Sequence, residues 1–247
     1  MQKVIDPGDI FKKTKGGRGG TFQVAFDRMK YWNDVENIWL DGVLSSTWEW
    51  TYNQIESIDL ENSYITLRYP ELSGICYGAS IRLPHFYFEN IPEELDQNGE
   101  YWIDRNKGLI YFYGGEDLSG LKLTTLDSPM LVLENTSNIS IEGLEFSFGR
   151  NHGIVINKSQ EITINKCRLS NFTKGGIDAS GKSIRISDSH IHGVGAFGIR
   201  LKGGSLSTLV PADNEVINCH IHDFGWEQKS QMGGVCIYGV GHRVAHN

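Results

Sequence analysis

Four short alternating apolar runs recur at nearly constant phase in the C-terminal half of the chain. They place Ile141, Ile164, Ile186 and Val216 at one phase. Each is followed by a second run, reaching Phe146, Leu169, Ile191 and Ile221. A third run then opens on Gly-Ile or Gly-Val, at Gly153, Gly176, Gly198 and Gly234. Alternation with period two is the signature of a strand with one buried face. The first two steps are 23 and 22 residues; the third is 30 and grows to 36 by the last strand, through insertions at Ser205–Asp213 and Phe224–Gln231. Short strands at a fixed period, with insertions confined to turns, predict a parallel β-solenoid with three strands per coil. Apolar positions face inward and stack on their equivalents about 4.8 Å away, the ordinary strand spacing. An antiparallel sandwich would not place Gly-Ile/Val at one phase in four consecutive units.

The first half reads differently. Ile55–Ile58 and Tyr64–Leu67 flank Asp59-Leu60-Glu61-Asn62, and Tyr101–Ile103 and Leu109–Tyr113 flank Asp104–Gly108. Aromatic and β-branched runs across Asn/Asp/Gly turns predict two antiparallel hairpins. Five of the six tryptophans and nine of the ten tyrosines lie in this half. The expected organisation is all-β: an antiparallel, β-sandwich-like, aromatic-rich domain over 1–127, and β-helix coils over 128–247. The glycines among Lys12, Lys13, Lys15, Gly16, Gly17, Arg18, Gly19 and Gly20 suggest a loop. No strand precedes them and no Gly-Lys-Ser/Thr follows, so a phosphate cradle is not expected.

Composition narrows the function. With 29 glycines against 6 prolines, tight turns are favoured over collagen or Pro-rich linkers. A net charge of −7 argues against a nucleic-acid partner. No apolar run approaches the roughly 18 residues needed to span a membrane. Cys76, Cys167, Cys219 and Cys236 show no CxxC spacing, so they read as buried free thiols and not as a zinc site. The pattern breaks off inside a fifth repeat at Val244–Asn247. A longer parent chain is therefore expected, and the lack of a visible signal peptide carries no meaning for location.

Aligning the repeats places the polar residues. One outward column of the third strand reads Val155, Asp178, Arg200, Cys236. Asp178 is the candidate catalytic carboxylate and Arg200 a candidate substrate-binding cation, against the plainer reading of a structural ion pair. Two outward columns of the second strand read Glu145, Arg168, His190, His220 and Ser147, Ser170, His192, His222, with Asp223 next. His190, His192, His220, His222 and Asp223, with Trp226 in the following insertion, form a candidate sugar-binding groove. Imidazoles titrate near neutrality and suit acid/base work. They also ligate metals, but the expected set has no metal and no cofactor.

The coil pattern resembles a bacterial family, and the stretch Asn90–Tyr113 is its most specific part. That stretch contains Leu95-Asp96, Gly99-Glu100-Tyr101-Trp102, Asp104, Gly108 and Ile110-Tyr111-Phe112-Tyr113. It is similar to right-handed parallel β-helix glycoside hydrolases with a β-sandwich-like insertion, the β-xylosidase and α-fucosidase members above all. The resemblance covers nearly the whole chain. It implies cleavage of glycosidic bonds in plant or microbial polysaccharides by two carboxylates, outside the cytoplasm or in the periplasm. In that family further coils carry acidic site residues beyond a stretch like Val244–Asn247, so Asp178 stands without a partner acid here. The alternatives are a polysaccharide lyase, using Arg200, Lys202 and the histidines, or a non-catalytic carbohydrate-binding or adhesion β-helix. The sequence leaves the oligomeric state open.

Overall fold

A computed structural model describes residues 4–5, 20–24, 27–33, 35, 37–44, 48–71, 74–75, 85–115 and 117–247. The chain divides into two compact units, Met1–Gly120 and Leu121–Asn247. Cys76 and the basic stretch Lys12–Gly19 lie outside the described residues.

The first unit is antiparallel. Its strands are β1 (Val4–Ile5), β2 (Thr21–Val24), β3 (Trp39–Val43), β4 (Thr51–Asp59), β5 (Tyr64–Leu67) and β6 (His85–Glu89), ordered β1-β2-β5-β4-β3-β6 in one sheet. β7 (Tyr101–Asp104) and β8 (Leu109–Phe112) form a separate hairpin. Both hairpins expected from the turn residues are present. Asp59 Oδ1 accepts the N–H groups of Glu61 and Asn62, and Asp104 Oδ1 accepts those of Asn106 and Lys107. A short carboxylate that satisfies its own turn explains why Asp opens both loops. Phe22, Ile38, Leu40, Leu44, Ile55 and Ile65 are fully buried beneath the sheet.

The second unit is the parallel β-helix. Its strands are β9 (Leu131–Glu134), β10 (Ser137–Glu142), β11 (Glu145–Gly149), β12 (Ile154–Asn165), β13 (Arg168–Phe172), β14 (Ile177–Ser187), β15 (His190–Val194), β16 (Ile199–Gly203), β17 (Asn214–Ile217), β18 (His220–Phe224), β19 (Val235–Gly239) and β20 (His242–Ala245). The register is the one the repeats predict. Ile139 pairs with Ile162 and Ile162 with Ile184, while Ile154, Ile177, Ile199 and Val235 form another ladder. Ile154, Ile156, Ile162, Ile164, Ile177, Ile184, Ile186, Ile191 and Ile199 from these ladders pack into one buried core. Burying each contributes about 1.5–3 kcal/mol.

The three expected runs are present in each coil, but they are not always separate strands. In β12 and β14 the third strand of one coil runs into the first strand of the next through a bend, where the pairing slips between Ile156 and Ser159. Gly181 makes this bend: a Cβ there would collide with the Ser159 carbonyl oxygen of the preceding coil. The other corners repeat a left-handed residue in every coil. Gly143, Lys166, Asp188, Asn218 and His246 form one such column, and Asn138, Glu161, Ser183 and Asp213 another. Each left-handed residue turns the chain without disturbing the parallel ladder above it.

Polar side chains close these corners. Asn214 is fully buried, accepts the Ile184 N–H at 3.0 Å and donates to the Gly181 carbonyl at 3.1 Å. Ser189 Oγ accepts the Cys167 N–H, and Asn247 Oδ1 accepts the Cys219 N–H. Cys167 and Cys219 are buried free thiols as expected, but Cys236 is only half-buried. Its position in the outward column of β19 keeps it out of the core.

Candidate functional site

The β-helix sets Asp178 beside Arg200 on the next coil. Arg200 Nε donates to Asp178 Oδ1 at 3.0 Å and Nη2 donates to Oδ2, a forked pair. Lys202 Nζ adds a contact to Oδ1 at 3.4 Å. The Arg200 guanidinium lies over the Phe197 ring, 4.1 Å from its centroid, and the same ring meets His152 at 5.4 Å. Burial pushes the Asp178 carboxyl up, but hydrogen bonds and charge from Arg200 and Lys202 outweigh it and hold the pKa below the ordinary 3.8. Asp178 is therefore an ionised acceptor at neutral pH. It can orient a hydroxyl or act as a base, but it has no proton to give. Its column holds no second carboxylate, since Val155 and Cys236 flank the pair. Tyr238, in register with Lys202, is 56% exposed at the edge of this patch.

The four predicted histidines gather on the other sheet, ordered β11-β13-β15-β18. His190 pairs with His220 and His192 with His222, as the repeat alignment requires. Both pairs stack nearly parallel, with centroids 4.8 and 5.2 Å apart. The shortest polar contact runs diagonally: His190 Nε2 to His222 Nε2 is 2.7 Å. His222 Nδ1 lies 2.8 Å from Asp223 Oδ2. Arg168 Nη2 lies 3.4 Å from His192 Nε2. Desolvation, then the neighbouring imidazoles and Arg168, depress the pKa of His190. Desolvation and Arg168 lead for His192. These two rings are neutral at pH 7. The ligand atoms of His190, His220 and His222 all lie within 4.8 Å of one another.

Trp226 sits in the insertion after β18 and is 52% exposed. The insertion is tied to the corner between the two faces. Gly225 N–H donates to the Val194 carbonyl, and Glu227 and Gln228 N–H both donate to the Gly195 carbonyl. The predicted residues thus form two groups on two sheets, with the Trp226 loop at the turn joining them.

Several residues carry no signal in the repeat alignment. His152 accepts the Gly175 N–H at 2.8 Å. It lies one coil before the Asp178 level, outside the outward columns that hold Asp178 and the four histidines. In the first unit, Asp41 is only 5% exposed and receives Trp50 Nε1 and Tyr87 O–H. Burial, then the Asp41 hydrogen bond, raises the Tyr87 hydroxyl well above its usual range. Glu71, in the segment after β5, is buried and accepts from Thr51 Oγ1 and Asn53 Nδ2 of β4. A lone Asp inside the apolar run Ile38–Leu44 is the one sequence signal for this cluster.

A family model described as a right-handed β-helix region matches residues 130–210. Neither the curated proteins nor the solved structures include a significant match to the chain. Together with the parallel ladders, the family match establishes the right-handed parallel β-helix.

Proposed function

We propose that this protein is carbohydrate-active and holds an extended poly- or oligosaccharide against its β-helix. The observation that carries this reading is the Asp178–Arg200–Lys202 cluster with exposed Tyr238 at its edge. Sugars offer vicinal hydroxyls that pair with a fixed carboxylate–guanidinium fork, and an apolar face that stacks on an aromatic ring. The polar histidine face and Trp226 extend the surface along the coils. Such a ligand suits a protein that works outside the cytoplasm or in the periplasm.

Glycoside hydrolysis is the second reading. It is favoured by the ionised state of Asp178 and by the hairpin over 101–112, which contains the residues that resemble β-helix glycosidases. In that reaction Asp178 serves as the base or nucleophile, and a second, protonated carboxylate completes the pair. A lyase is less well supported, because Arg200 and Lys202, which would have to meet a uronate, are already paired with Asp178.

The test is retardation of the protein in gels containing xylan, pectin or fucosylated glycan. Arg200→Ala and Tyr238→Ala should abolish the retardation caused by whichever polymer binds. Mobility unchanged by every polymer would sink the reading. Release of aryl aglycone by the protein and not by Asp178→Asn would establish hydrolysis.

A further inference from the structure

We propose that His190, His220 and His222 form a site for a divalent transition-metal ion, of the zinc, nickel or copper type. Stacked imidazoles in a parallel ladder present their edges side by side and do not converge. Here convergence comes from the diagonal, where His190 Nε2 and His222 Nε2 approach to 2.7 Å. Such a contact between two imidazoles requires one nitrogen to carry a proton and the other a lone pair.

Asp223 decides which is which. Its Oδ2, 2.8 Å from His222 Nδ1, accepts the Nδ1 proton. His222 Nε2 is then the lone-pair nitrogen, aimed at His190. A carboxylate behind a ligating histidine is the usual outer-shell device for fixing tautomer and ring orientation. A metal ion takes the place of the single proton between the two Nε2 atoms, and that proton moves through solvent to His190 Nδ1, so both rings bind as neutral imidazoles. Ligand nitrogens about 2.0–2.1 Å from a tetrahedral ion stand about 3.3 Å apart, so the pair must open by roughly 0.6 Å. His220 supplies the third nitrogen, within 4.8 Å of the other two.

The fourth histidine is excluded by its partner. The Arg168 guanidinium can only donate, so at 3.4 Å it engages the lone pair of His192 Nε2. The ligand set is therefore three imidazoles carried by two adjacent strands of a rigid sheet. Such a set suits zinc, nickel or copper better than calcium or magnesium, which prefer oxygen. His220 is exposed, so the remaining coordination positions open to water or to an incoming ligand.

The test needs no sugar, so its outcome is separate from that of the glycan reading. Untagged protein, stripped with chelator, is titrated with ZnCl₂, NiCl₂ and CuCl₂ by calorimetry, and the copper form is read by electron paramagnetic resonance. The expected result is one ion per chain with nitrogen superhyperfine structure. His222→Gln and His190→Gln should each weaken binding at least about 100-fold, and Asp223→Asn about 10- to 100-fold, as outer-shell changes do. His192→Gln should stay within about threefold of the parent, which separates the site from general imidazole binding. Far-UV circular dichroism checks that each variant keeps its fold. Parent binding no tighter than that of the His190→Gln/His222→Gln double variant overturns the proposal. So does an equal loss in His192→Gln.

Discussion

Arg200 grips Asp178 across one coil step with both Nε and Nη2, while Lys202 reaches the same carboxylate from the same strand. A pair at 25% and 16% side-chain exposure lies between the surface and the core. Its coupling should exceed the ~0.2–1 kcal/mol of exposed pairs but fall short of the ~3–5 kcal/mol lost on breaking a buried one. A double-mutant cycle with Asp178→Ala and Arg200→Ala is expected to give about 1–2 kcal/mol by urea unfolding. Additivity of the two changes would mean that the fork adds nothing to the stack. Because the folded pKa is depressed, the Asp178 contribution is fully present above 3.8 and disappears as pH falls through the lower folded value.

The bend in β12 and β14 makes a second prediction. At Gly181 a methyl group would meet backbone of the preceding coil, and backbone cannot swing aside. Gly143 also turns the chain, with φ of 68°, but a methyl group there would meet nothing within 4 Å. Gly181→Ala should cost about 3 kcal/mol or more through overpacking, and Gly143→Ala only about 1 kcal/mol through left-handed strain. Chemical denaturation of the two variants side by side checks the order. Equal losses would show that the close approach at Gly181 relaxes.

Much of this architecture was legible because a β-helix writes its register into the sequence. Ile139, Ile162 and Ile184 must share a phase if their side chains stack, so the repeat alone aligned Asp178 with Arg200 and His190 with His220. The columns did not reveal the diagonal contact of His190 with His222, since side-chain rotamers decide it and the period does not. Nor was the run of left-handed corners visible. Lys166, Asp188 and Asn218 share a backbone conformation but little chemistry. In the first unit the hairpins announced themselves through local turn chemistry. The placement of β3 between β4 and β6 depends on pairing distant in sequence, for which no repeat provides a guide.

Asn214, the residue that follows the insertion Ser205–Asp213, is a core element. Its amide joins Ile184 N–H to the Gly181 and Lys202 carbonyls at the point where an insertion returns to the coil. Asn214→Ala leaves the buried Ile184 N–H without its acceptor, at about 1–3 kcal/mol, and takes a donor from two half-buried carbonyls that solvent can reach. A loss of about 2–4 kcal/mol is expected in total, with the largest fall in hydrogen-exchange protection at Ile184. Unchanged protection there would show that solvent replaces the amide.

His152 yields a prediction about pH. Its ring is half-buried against Phe197, and Nδ1 accepts the Gly175 N–H. Desolvation is the leading influence and lowers its pKa from the ordinary 6.5, aided by Arg200 and Lys174. Asp178 opposes the shift without cancelling it. The unfolded chain therefore binds a proton at a pH where the folded chain does not. The stability associated with the neutral ring is complete above 6.5 and is lost as pH falls through the depressed folded value. His152→Gln keeps an acceptor for Gly175 but cannot be protonated. Between about pH 7.5 and 5 the parent should lose more unfolding free energy than this variant does, while the other histidines contribute equally to both. Direct titration by NMR of the His152 ring should show a midpoint below 6.5. A midpoint at or above that value, or parallel pH profiles for parent and variant, would mean that Asp178 controls the ring and burial does not.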